Sequence, residues 1–233
     1  MTTPEPPPIA EDRNLFTALQ GPATPGRILE ALLKQPGRAA WELLDGRTTK
    51  FMLVLGSAAL IALAIYGLVA GSLTGGLQLW IAPTKIVIGS VLSAAICLPS
   101  LYVFLCLNGA NAGFLETAGL LIASVALTAI LLVSLVPIAW VFSQSTDSLA
   151  GMGFLHLVLW ATAATFGLRF LSQSASHASM SRLRLGAWIV IYILVSLQMT
   201  TALRPILGRS DHFLPQEKKF FLAHWMETLT TSP

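Results

Sequence analysis

His156 is the one titratable side chain well inside an apolar block of this 233-residue chain, about two helical turns from the block's start. Neutral imidazole can relay protons or ligate a metal. A metal or a b-type haem needs further ligands at the same depth, whereas His177, His212 and His224 all lie in polar segments. The expectation is therefore a histidine hydrogen-bonded to a neighbouring helix. A second polar concentration is the run from Leu197 to Pro205. Gln198, Thr201 and Arg204 recur at three-residue spacing and share a helix face, and Pro205 weakens the turn whose carbonyls they can cap. That face suits either a polar site opening to one side of a membrane or interhelical hydrogen bonds toward Asp147. If the chain holds a small ligand, this is the first place to look.

The remaining charges near apolar blocks fall into feasible pairs, Glu116 with Arg169, and Asp147 with Arg204 or Lys85. They can serve a gate or a proton path, or clamp helices together. The clamp is the heavier reading, because polar pairs in membranes are common packing contacts averaging only ~0.6 kcal/mol. The chain carries no nucleophile elbow, HExxH pair, P-loop or dinucleotide fingerprint. Asp45 and Asp147 fall on opposite sides of the membrane and cannot form one acid/base dyad. No catalytic residue, metal site or cofactor is expected.

The elements that carry these residues follow from composition. Hydrophobic residues make up 55% of the chain and charged residues 11%, a charged share far below that of soluble domains. The apolar residues lie in blocks long enough to cross ~30 Å of hydrocarbon as helices. The expected fold is all-α, a polytopic membrane helix bundle with about five transmembrane helices. The spans are predicted at about Phe51 to Ser72, Ile86 to Leu107, Thr117 to Phe142, Leu149 to Leu171 and Leu185 to Leu207. Pro99 is predicted to kink the second and Pro137 to distort the end of the third. Gly56 with Ala59, and Ala94 with Ala95, suit close helix contact. Cys97 and Cys106, nine positions apart in one block, are too distant along a helix for a disulfide.

Residues 1–24 are Pro-rich and expected to be a disordered tail without a cleavable signal. Residues 25–50 show apolar positions at three- and four-residue spacing, including Ile28, Leu32, Trp41 and Leu44, and read as two amphipathic helices along the membrane surface, divided at Pro36 and Gly37. Residues 51–207 form the transmembrane domain. Residues 208–233 form an external tail in which Phe221, Trp225 and Leu229 align on one helix face as a recognition or membrane-contact stripe.

With five crossings, Arg13, Arg27, Lys34, Arg38, Arg47, Lys50, Arg169, Arg182 and Arg184 collect on one side, against Lys85, Arg204, Arg209, Lys218 and Lys219 on the other. The bias places the amino terminus in the cytoplasm and the carboxyl terminus outside, in the inner (cytoplasmic) membrane. Because the basic residues flank apolar blocks, the net charge of +3 does not point to nucleic acid.

Five spans, a Pro-rich cytoplasmic amino terminus, an amphipathic approach to the first span and an external carboxyl end resemble the layout of the Yip superfamily, the Ypt/Rab-interacting membrane proteins and their bacterial relatives. The resemblance covers about Leu44 to Leu207. The Asp-Leu-Tyr-Gly-Pro-like and Gly-Tyr motifs of eukaryotic members are missing, Trp80-Ile81-Ala82-Pro83 being the nearest local feature, so no functional residue is carried over. The expected role is a noncatalytic scaffold, assembly or accessory subunit, with membrane lipids and other integral membrane proteins as partners. The alternative is a small-solute or lipid-handling transporter.

Overall fold

The computed structural model describes residues 16–45, 47–72, 76, 78–110, 112–145, 149–177 and 182–202. Among these the chain is all-helical: α1 (Pro25–Lys34), α2 (Pro36–Leu44), α3 (Thr48–Ser72), α4 (Gln78–Cys106), α5 (Phe114–Ser134), α6 (Val136–Ser145), α7 (Leu149–His177) and α8 (Arg182–Ala202). Helices suit such a sequence because hydrocarbon offers the backbone no hydrogen-bond partner, and a helix satisfies its own N–H and C=O groups. Four of them, α3, α4, α5 and α7, are long and apolar enough to cross a membrane. The apolar part of α8, Leu185–Met199, is shorter, about 22 Å at helical rise.

The most extensive packing joins α3 to α5 and to α4, α5 to α7, and α4 to α8. Small residues set how closely these helices approach. A side chain at Gly67 of α3 would overlap Pro83 of α4, and one at Gly167 of α7 would overlap Ser124 and Thr128 of α5. Ser124 uses that proximity, its hydroxyl donating to the Gly167 carbonyl at 2.8 Å. The Gly56 and Ala59 pair does face packed neighbours, Gly56 lying against Ile122 of α5, but Ala95 is exposed on the outside of α4.

Several boundaries differ from expectation for identifiable reasons. α4 begins at Gln78 rather than near Ile86 and continues through both Pro83 and Pro99. Near Pro99, Ser100 Oγ donates to the Cys97 carbonyl at 2.8 Å, and the Trp188 indole N–H of α8 reaches that carbonyl at 3.2 Å and Ser100 Oγ at 3.0 Å. The third span, expected to be merely distorted by Pro137, is divided at Leu135. Pro137 has no N–H to give Val133 and its ring crowds that carbonyl. Leu135 N–H closes α5 by donating to Leu131 and Leu132, and its own carbonyl starts α6 by accepting from Ile138 and Ala139. α7 runs on to His177, past the expected end at Leu171, with Ser172 and Ser174 donating back to the carbonyls of Leu168 and Phe170.

The amphipathic helices do not simply lie along a lipid surface. Ile28, Ala31 and Leu32 of α1 and Ala39, Ala40 and Leu43 of α2 are fully buried against α3, α5 and α7, so the two helices cap one end of the bundle. Pro25 and Pro36 stand in the first turns, where a missing N–H costs nothing. Part of the expected tail joins them. Leu19 and Ala23 are buried in the same core.

Candidate functional site

The interior polar pair lies between α3 and α7. Tyr66 is 4% exposed and neighbours Gly67, where Pro83 of α4 closely approaches α3. Its hydroxyl is 2.6 Å from His156 Nδ1, and the rings meet edge to face, centroids 5.5 Å apart at 81°. The expected interhelical hydrogen bond of His156 is thus present, with its partner identified. His156 Nε2 is buried and has no hydrogen-bond partner. If Nδ1 accepts from the phenol, Nε2 carries a proton with no acceptor; if Nδ1 donates, Nε2 is an acceptor with no donor. Either tautomer leaves one hydrogen-bonding position open. No group of three His, Cys, Asp or Glu side chains able to hold a metal occurs among the described residues.

Lys85, expected at the outer face beside Asp147, is 1% exposed within the first part of α4. Asp147 lies outside the described residues.

The densest charged constellation was not anticipated. Glu42 of α2, 1% exposed, accepts the fork of Arg47 through Nε to Oε2 and Nη2 to Oε1, both at 2.9 Å. The Arg47 backbone N–H donates to Oε2 at 3.3 Å and the Leu19 N–H to Oε1 at 2.9 Å. Arg47 also donates to the carbonyls of Leu19 at 3.3 Å and Gly21 at 3.4 Å. Gly21 adopts φ +85°, a left-handed turn that suits glycine, and presents its carbonyl there. The guanidinium holds the Glu42 carboxyl below its ordinary range, the Leu19 and Arg47 amides act in the same direction, and burial opposes them. The same contact raises the affinity of Arg47 for its proton. One signal was present in the sequence. Glu42 falls beside Ala39 and Leu43 on the apolar side of α2, where a carboxylate requires a partner.

Glu116 and Arg169 do not pair. Gly167 beside Ser124 sets the register of α5 against α7, which puts Glu116 about six residues, ~9 Å, nearer the capped end than Arg169. The Glu116 carboxylate instead folds over Gly113 at the start of α5, where the helix dipole favours a negative charge. Arg169 lies on the outer surface of α7, its guanidinium over the Phe166 ring at 5.9 Å. Gln198 is half-buried in α8, and Thr201 lies in the last turn of that helix, its side chain outside the described residues. Arg204, Phe221 and Trp225 also lie outside them. The residue that docks α8 is Trp188, fully buried and stacked on Tyr192 at 17°.

These features define an all-helical bundle with the apolar spans of an integral membrane protein. No known protein family, curated protein or solved structure matches the chain.

Proposed function

We propose that the chain is a noncatalytic five-span protein of the inner (cytoplasmic) membrane that acts as a scaffold or accessory subunit, packing against partner integral membrane proteins. The supporting observation is a bundle whose contacts between spans are filled by side chains, among them Phe51, Leu55, Leu101, Leu120, Leu132 and Leu171, while large apolar residues cover its outside. An interior filled in this way suits holding shape more than passing solutes. In this reading α8 supplies the fifth crossing, and the bias of Lys and Arg toward the capped end supports a cytoplasmic position for that end. The Yip-like layout is compatible with such a role. Purification of the native protein in gentle detergent should bring stoichiometric membrane partners with it; a homogeneous solitary species overturns the scaffold reading. Reporters fused at the two termini should report opposite sides, and both on one side refutes five crossings.

The transporter reading has one observation in its favour, the open nitrogen of His156 beside Tyr66. Uptake into proteoliposomes that is lost in His156→Ala would favour it.

A further inference from the structure

Residues 16–24 cross the capped end without forming a helix, and only Leu19 and Ala23 among them are buried. Thr17, Ala18, Gln20, Gly21 and Pro22 are exposed. A segment integral to the core buries side chains at every turn, as α1 does with Ile28, Ala31 and Leu32. This one is held largely through its main chain. Glu42 and Arg47 grip Leu19 from both sides, its N–H donating to Glu42 Oε1 at 2.9 Å and its carbonyl accepting from Arg47 Nη2 at 3.3 Å. Arg47 Nη1 reaches the Gly21 carbonyl at 3.4 Å. A sheet edge offers an added peptide the same pair of contacts, one acceptor and one donor to a single residue. Here a carboxylate and a guanidinium supply them, and the two orient each other without the segment, through Arg47 Nε and Nη2 to Glu42 at 2.9 Å and the Arg47 backbone N–H at 3.3 Å.

We propose that Glu42 and Arg47 form a peptide-binding site, that residues 16–24 occupy it as a tethered ligand, and that it accepts an extended segment of a partner protein with the same chemistry. That chemistry is a leucine-sized apolar residue followed two positions later by glycine. Main-chain contacts accept any residue, so selectivity comes from the enclosure around Leu19 and from Gly21. Gly21 adopts φ +85°, and a Cβ there would also meet the Arg27 guanidinium. The tether gives the chain's own segment an effective concentration on the order of millimolar, so the site is self-occluded against weak competitors. The site stands apart from the scaffold reading, since it involves the cap and not the outward faces of the spans.

The test uses the full chain in detergent micelles with a fluorescent peptide copying residues 16–24, and the same peptide N-methylated at the amide corresponding to Leu19. Methylation keeps the side chain and removes the donor to Glu42. Anisotropy should show weak binding to the unaltered chain. Leu19→Ser or Gly21→Val in the chain loosens its own segment and should raise the peptide's affinity roughly tenfold or more. In either variant the N-methylated peptide should bind roughly tenfold more weakly than the copy. Equal affinity of the two peptides overturns the proposal, as does equal binding of the copy to the unaltered and altered chains. Absence of binding to both variants while they still unfold cooperatively makes residues 16–24 an integral part of the cap and overturns it as well. So does loss of cooperative unfolding in both variants, because a tethered ligand detaches without unfolding its receptor.

Discussion

The capped end and the α3/α7 interior handle buried polar groups in opposite ways. At the cap, Glu42 receives four hydrogen bonds from Arg47 and Leu19, so a carboxylate among fully buried alanines and leucines is neutralised and satisfied. In the interior, Tyr66 and His156 satisfy each other on one side only and leave His156 Nε2 open. A saturated network behaves as a rivet, because removing any member strands the others. A one-sided pair contributes less and retains the capacity to bind something.

The largest expected effect is therefore at the cap. Glu42→Ala strands the Leu19 amide and the Arg47 guanidinium, and after discounting for the partial exposure of Arg47 it should cost about 3 kcal/mol in detergent unfolding. The network also predicts acid sensitivity. The folded-state pKa of Glu42 lies below its ordinary value of 4.5, so its stabilisation is complete above that value and is lost as pH falls through the lowered one. Glu42→Gln should flatten that part of the acid unfolding profile. An unchanged profile removes the rivet from the cap.

Next in size, Gly167→Ala puts a methyl group into Ser124 and Thr128 and should cost about 2 kcal/mol, read from the same unfolding transition. It tests whether the interior is held by close backbone approach rather than by polar groups. Trp188→Phe keeps most of the buried ring but removes the N–H shared by Cys97 and Ser100, for an expected loss of about 1 kcal/mol and easier proteolysis after α7. The smallest effect is expected for Tyr66→Phe, about 0.6 kcal/mol, in keeping with an average membrane hydrogen bond. A loss as large as that of Glu42→Ala would erase the distinction between the two regions.

Much of the architecture is legible in the sequence. The apolar blocks marked five spans, four of which coincide with helices long and apolar enough to cross a membrane while the fifth, predicted over about Leu185 to Leu207, coincides with the shorter apolar stretch Leu185–Met199, and the depth of His156 within its block called for a hydrogen-bond partner. That the partner is Tyr66, ninety residues earlier, was not legible, because a phenol in an apolar helix carries no signal of which neighbour it meets. Pro137 announced a disturbance, and the structure confines it to a one-residue interruption at Leu135, which keeps a helical conformation, since the neighbours determine whether a freed carbonyl is tolerated inside a helix. Glu42 gave a faint signal by its place on the apolar side of α2.

By itself the sequence determined the class of structure: helices, because apolar segments in lipid must satisfy their own backbone, and a bundle, because small residues recur along them. Only the tertiary structure decided what covers each apolar face. Lipid tails and protein interiors are equally apolar, so the stripe on α1 and α2 reads the same whether it floats on a membrane or, as here, closes the end of the bundle. The register of α5 against α7 likewise decided that Glu116 and Arg169 stand about two turns apart, a consequence of Gly167 meeting Ser124 across the chain.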